Sequence, residues 1–152
     1  MRVWLIAVGR SRPGPARDLF EEYKGRITWP FTLREVECRK RVEGDELKRL
    51  EAQLLLEAIP PGATLVALDE RGKALPSETF ARQVGIWRDG GVADLAFVIG
   101  GADGLAEEVR RRASLLIAFG PMTWPHMMVR GMLAEQLYRA QQILAGHPYH
   151  RV

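Results

Sequence analysis

The stretch Val92-Ala93-Asp94-Leu95-Ala96-Phe97-Val98-Ile99, closed by Gly100-Gly101-Ala102-Asp103-Gly104, decides the fold. A continuous apolar run of this length, ended by glycines, reads as a strand buried on both faces. Working outward, residues 63–68 and 113–119 read as further buried strands, and so does the opening run 3–8, which ends at Gly9. Phe31 to Cys38 alternates apolar and polar residues, as a strand open to solvent on one face would. Helical spacing fills the intervals. Leu19, Phe20 and Tyr23 mark a helix over 16–26. Leu47, Leu50, Leu54, Leu55 and Ile59 mark one that starts at Gly44-Asp45 and stops at Pro60-Pro61. Ser77 is read as the cap of a helix over 78–88, Asp103 to Arg112 as a short helix, and Pro125 as the first residue of a long one ended by Gly146. Strands alternating with helices predict an α/β domain with a parallel sheet covered on both faces. No repeat or linker divides the chain, so 1–152 is read as a single domain.

Composition narrows the function classes. The chain has 152 residues, 47% of them hydrophobic and 27% charged, as in an ordinary globular protein. The lone Cys38 excludes an internal disulfide framework and a multi-cysteine zinc site. No run reaches the roughly 18–20 apolar residues that span a bilayer. The apolar opening is too short for the core of a secretory signal, so a reducing cytoplasm is expected and no membrane. The net charge is +3, and 18 Arg stand against 4 Lys. Arginine's planar fork suits phosphates and base edges. A GC-rich coding sequence explains the same bias, and the chain's lack of asparagine with it.

In open α/β sheets ligands bind beyond the carboxyl ends of the strands. Three such ends carry glycine here: Leu68-Asp69-Glu70-Arg71-Gly72, Ile99-Gly100-Gly101-Ala102-Asp103-Gly104 and Phe119-Gly120-Pro121-Met122-Thr123-Trp124. Each reads either as a place where a ligand meets the backbone or as a tight turn into a helix. The dinucleotide fingerprint is absent. Gly9 and Gly14 have phosphate-loop spacing, but Pro15 stands where lysine is required. The histidines, His126, His147 and His150, form no metal-ligand pattern, and no metal is expected. No nucleophile elbow occurs. The last third is short of acids. Its helix carries Met128, Val129, Met132, Leu133, Leu137 and Leu144, with Gly131 and Ala134 small enough for another backbone to approach. That pattern fits a helix packed against a partner as well as one buried in its own core. The tail Gly146-His147-Pro148-Tyr149-His150-Arg151-Val152 reads as a frayed end or as an aromatic, cationic group that stacks on a base and contacts phosphate.

Taken in order, these residues resemble the bacterial ribosomal large-subunit pseudouridine methyltransferase H family, within the SPOUT class. The similarity is carried by Met122-Thr123-Trp124-Pro125-His126, Val129-Arg130, Leu133-Ala134-Glu135-Gln136-Leu137-Tyr138-Arg139-Ala140 and Gly146-His147-Pro148-Tyr149-His150-Arg151. Val8-Gly9, Glu22-Tyr23, Leu68 to Lys73 and Phe97 to Leu105 support it, so it spans essentially the whole chain. Two features depart from the family pattern: Val152 where an acid is common, and Phe119-Gly120-Pro121 where serine and leucine are usual.

The resemblance implies a SPOUT methyltransferase fold with a C-terminal trefoil knot, the cofactor-binding knot lying in about 65–152. It implies S-adenosyl-L-methionine as methyl donor, a homodimer, and methylation of N3 of a pseudouridine in 23S rRNA of the large subunit or the assembled ribosome. It places the cofactor on Leu68, Gly100 and Phe119, Gly120, Pro121, Met122, Thr123 and Trp124. Tyr149, His150 and Arg151 then face the RNA at the edge of that site. Arg130 and Arg139 would steady developing negative charge or bind phosphate, and His150 is the first choice of base. The rival readings are a SPOUT enzyme for another nucleotide and a non-catalytic ribosome-binding module.

Overall fold

A computed structural model describes residues 1–151. The departure at Val152 lies outside the described residues. Among the described residues five strands and five helices alternate: β1 (Arg2–Val8), α1 (Pro15–Lys24), β2 (Phe31–Val36), α2 (Gly44–Ala58), β3 (Thr64–Lys73), α3 (Ser77–Asp89), β4 (Asp94–Ile99), α4 (Glu107–Arg112), β5 (Leu115–Ile117) and α5 (His126–Leu144). The strands form one sheet in the order β2-β1-β4-β3-β5, and every pairing is parallel. The apolar run that ends at Ile99 is thus a central strand. Leu95 to Val98 are sealed from solvent, between β1 on one side and β3 on the other.

Alternate side chains point to opposite faces of the sheet, and this sorts the apolar residues into two cores. Val3, Leu5, Ala7, Val66, Leu95 and Phe97 pack with Phe20 of α1, Phe80 and Val84 of α3, and Leu133, Ala134, Leu137 and Ala140 of α5. Ile6, Val8, Leu65, Ala67, Ala96 and Val98 face Ala52 and Leu55 of α2 and Val109 of α4. The long helix α5 lies between α1 and α3 on the first face. Its small residues serve this internal packing. A Cβ on Gly131 would fall 2.9 Å from Leu19, and Ala134 is fully buried. Of the two readings open for these positions, the structure shows internal packing: Leu19 of α1 fills the space beside Gly131, and Ala134 lies in the core.

Local boundaries differ where polar residues or turns interrupt the periodicity. β3 runs to Lys73 rather than Leu68. Its register against β5 shifts between Leu68 and Lys73, which both pair with Ile117. The intervening residues bulge out of the sheet, and the chain returns so closely that a Cβ on Gly72 would sit 2.5 Å from the Ile117 backbone. No side chain fits there. α4 begins at Glu107 rather than Asp103, because a turn bridged between Gly101 and Gly104 takes up the preceding residues. Ser77 does not cap α3. Pro76 occupies the cap position, and the Ser77 hydroxyl donates to Gln136 Oε1 at 2.7 Å, tying α3 to α5. Pro125 precedes α5 as its cap, one residue outside the helix. Among the described residues, no helix is long and apolar enough to cross a membrane.

Candidate active site

The carboxyl ends of β3, β4 and β5 converge on a cleft of about 270 Å³. Leu68, Gly100, Phe119, Gly120, Met122, Thr123 and Trp124 all line it, so the three glycine-bearing loops share one wall. Pro121, between Gly120 and Met122, is not part of the lining. The walls are mixed. Ile99, Leu105, Ile117, Phe119 and Val129 are apolar, while Lys48, Asp69, Glu70, Arg71, Asp103 and Arg110 supply charge. The Trp124 indole N–H donates to the Phe119 carbonyl at 2.9 Å, which closes the third loop on itself. Met122, at its tip, is 74% exposed.

Gly100 is needed for a reason that only the fold reveals. A Cβ there would lie 2.8 Å from the Gly104 backbone and 3.1 Å from Leu105. The glycine lets the loop fold on itself, and a larger residue would distort the wall before it met any ligand.

Two titratable groups near the cleft are held toward neutrality by their surroundings. His126 lines it; burial, together with the positive charge of Arg130, pushes its imidazole below the usual range. At neutral pH it therefore offers a free lone pair. Glu51 of α2 lies under the second loop, 2.9 Å from where a Cβ of Gly101 would be. Burial, and then the nearby Asp103, pushes its carboxyl up. His126 belongs to the stretch that carries the family resemblance, but sequence reasoning does not place it in the cleft. The signal is there, since it follows the third loop directly.

Arg130 is 2% exposed, on the sheet-facing side of α5. Its guanidinium donates to Glu35 Oε2 at 2.6 Å and to the carbonyls of Gly9 at 2.9 Å and Val8 at 3.3 Å. It thereby clamps the ends of β1 and β2 to α5. Burial of Glu35 would raise its carboxyl pKa, but hydrogen bonds from Arg130 and the Ser11 N–H outweigh that and hold it low. The Nε–H of Arg130 is buried without a partner among the described residues. Arg130 does not line the cleft.

Arg139 and the tail form a separate cluster. Arg139 pairs with Glu135 at 2.6 Å and stacks over the Tyr149 ring at 4.9 Å. Tyr149 packs edge-on against Tyr138 with centroids 4.8 Å apart, and its hydroxyl donates to Glu135 at 3.1 Å. Burial and the hydrogen-bonded neighbours Tyr23 and Glu135 push the Tyr149 phenol up to about 12, so it stays a donor at physiological pH. Arg139 donates to His150 Nδ1 at 3.1 Å. An arginine can only donate, so Nδ1 is the acceptor and a neutral ring carries its proton on Nε2, which faces Glu78 at 3.4 Å. The tail is thus fastened to α5 and α3 instead of projecting freely. Tyr149 and His150 are half-buried, whereas Gly146, His147, Pro148 and Arg151 are exposed. The cluster does not line the cleft. It lies at the start of α3, beside a second cavity lined by Ser77 and Gln136 that shares residues Ile117 to Gly120 with the cleft.

The arrangement suits a small molecule with one apolar and one polar end, held largely by backbone. Residues 1–150 match a family model described as a predicted SPOUT methyltransferase, and the chain belongs to that family. It is 80% identical over 151 residues, 99% of each chain, to the ribosomal RNA large subunit methyltransferase H of Rhodospirillum centenum. It is 54% identical, again over 99% of each chain, to the protein of the same name from Paramagnetospirillum magneticum. Among solved structures, a probable methyltransferase from Bordetella pertussis Tohama I shares the fold. The TM-score is 0.58 at 18% identity, covering 91% of this chain and 95% of that one.

Proposed function

We propose that this methyltransferase uses S-adenosyl-L-methionine to methylate N3 of a pseudouridine in the 23S rRNA of the large ribosomal subunit. The observation that carries the reading is the convergence of all three glycine-bearing loops on one cleft. Full-length similarity to two relatives named ribosomal RNA large subunit methyltransferase H supports the choice of substrate.

The cleft fits the cofactor's chemistry. Leu68, Ile99 and Phe119 supply apolar walls for a purine, and the backbone at Gly100 and 118–120 supplies hydrogen-bonding groups. Asp69 accepts from the Arg71 N–H and faces Arg110 at 3.8 Å, which leaves Glu70 and Asp103 as the other carboxylates of the lining for the cofactor's polar groups. When bound, the cofactor supplies an electrophilic methyl group. The protein must then align the acceptor nitrogen and favour loss of its proton. His126 is the imidazole of this chain that lines the cleft with its lone pair free. In His150 the Nδ1 lone pair is already engaged by Arg139. Tyr149, His150 and Arg151 keep the RNA-facing role the family implies, from beside the shared wall 117–120. We infer further that residues from about 65 onward form the cofactor-binding knot, its tightest passage at Gly72 against Ile117. Two copies associate through the apolar surface of Met122, Trp124 and Met128, which are 74%, 39% and 40% exposed. The setting is the cytoplasm, where ribosomes are.

Transfer of a labelled methyl group to ribosomes that lack the modification tests the reading. Incorporation into large-subunit RNA is expected. A protein that binds S-adenosyl-L-methionine but transfers nothing to ribosomes or free rRNA would support the binding-module alternative instead.

A further inference from the structure

We propose that the cavity at the carboxyl end of β1 is a phosphate site that holds the backbone of the RNA substrate beside the cofactor cleft. The inference rests on the RNA-methyltransferase reading above and adds a site to it. The cavity measures about 540 Å³ and lies between the loop Gly9 to Pro15 and the start of α5.

Three independent features make it an anion site. The first is the N-terminus of α1, which opens onto it. Gly14 is the cap and makes no side-chain cap bond, Pro15 has no N–H, and the first intrahelical bond runs from Asp18 N to Gly14 O. The N–H groups of Ala16 and Arg17 are therefore free of helical partners, at the positive end of the helix dipole. The second is Arg130. It lines the same cavity at 2% exposure, and its Nε–H has no partner among the described residues. Buried donors are almost always satisfied, and this one leaves an uncompensated donor in the residue that backs the cavity. The third is a pair of exposed side chains, Arg12 and Arg17, which line the cavity and form no ion pair among the described residues.

The opposing charges do not cancel these. Glu37 lines the cavity and sits 3.9 Å from Arg10, a loose pair. Glu35 is engaged by Arg130 and the Ser11 N–H. Asp18, in the first turn of α1, is not part of the lining. Four guanidiniums, Arg10, Arg12, Arg17 and Arg130, thus line the cavity with one carboxylate, Glu37. Arginine forks and helix N–H groups match phosphate oxygens in geometry as well as in charge.

The position ties the site to the reaction. A Cβ built on Gly9 would be 3.2 Å from Met127, which lines this cavity, and 3.9 Å from His126, which lines the cleft. One residue separates the two. A phosphate fixed here would orient a nucleotide for the neighbouring cleft.

The test is Arg12→Ala/Arg17→Ala, assayed for methyl transfer to unmodified ribosomes at several salt concentrations, with S-adenosyl-L-methionine titration as the check on folding. The expected result is a KM for ribosomes raised about tenfold or more and a kcat within about twofold. The slope of log kcat/KM against log salt becomes shallower by about 0.7 for each phosphate of single-stranded RNA that the variant no longer neutralises. Arg12→Lys/Arg17→Lys recovers most of the loss. A variant with intact cofactor binding and unchanged KM and slope overturns the site while leaving the enzyme reading standing. A wild-type protein that binds cofactor but methylates no RNA overturns both. A variant weakened on ribosomes yet equal to wild type in binding protein-free large-subunit rRNA would assign the cavity to an acidic ribosomal protein and overturn the RNA site.

Discussion

Replacing Arg130 with methionine removes the guanidinium while keeping most of the buried stem. It strips Glu35 of its 2.6 Å partner and leaves the Val8 and Gly9 carbonyls without that donor. Breaking a fully buried ion pair from one side costs about 3–5 kcal/mol. The Glu35 side chain is 27% exposed and can recover some hydration, so about 2–3 kcal/mol is the better expectation. For a chain of this length that lowers Tm by roughly 4–12 °C. The assay is thermal and urea unfolding at one fixed protein concentration, since self-association would shift the midpoint. Arg130→Met/Glu35→Leu, which removes both charges, should recover most of the loss. The sign with pH is fixed by Glu35. Its carboxyl is held low in the fold, so its contribution is full above the unfolded value and is lost as pH falls through the folded one. The gap between wild type and Arg130→Met should therefore narrow below about pH 5. A single-variant loss under about 0.5 kcal/mol, or additive losses in the double variant, would refute the clamp.

Deleting residues 148–152 removes the Tyr149 contacts with Tyr138, Arg139 and Glu135, and should cost about 1–2 kcal/mol by thermal unfolding. Methyl transfer should fall on the order of 100-fold while cofactor affinity changes little; wild-type transfer would show that the tail serves packing alone. Glu51→Gln should raise Tm at neutral pH, because the native charged carboxyl is penalised there. Burial raises the Glu51 pKa, so the native charged form is penalised above that value and not below the unfolded one; the gain should vanish near pH 4, roughly the unfolded carboxylate value, and a gain that persists in acid would contradict this origin. Calorimetric titration should show S-adenosyl-L-methionine binding at micromolar or tighter affinity, about −8 kcal/mol, unchanged by EDTA. Binding that EDTA abolishes and zinc or magnesium restores would contradict the metal-free site.

Periodicity alone yields the alternation of strands and helices, because apolar runs such as Leu95 to Ile99 leave little choice. It cannot yield the strand order, since a fully apolar strand does not name its neighbours. The apparent end of β3 at Leu68 arises because the polar run Asp69-Glu70-Arg71 breaks the pattern where the chain bulges. The three loops are legible as strand ends with glycine. Their convergence follows from β3, β4 and β5 being adjacent, a tertiary fact. Arg130 is visible as a basic residue but not as a clamp. Its spacing of three and four from Leu133 and Ala134 places it on the buried face of α5, and that is the available signal. The tail's attachment to α5 is hidden because it depends on the chain reversing after Leu144, which brings Tyr149 back over Tyr138.

Mapping the methylated product tests the chemistry. Ribosomes from cells lacking the modification are incubated with the protein and labelled S-adenosyl-L-methionine, and the rRNA is digested and sequenced by mass spectrometry. A parallel reaction uses ribosomes from cells in which the pseudouridine synthase has been deleted. One methyl group per large subunit is expected, on N3 of a pseudouridine, with little or none in the parallel reaction. A methyl group on another nucleotide, or equal labelling of both ribosome preparations, would contradict it.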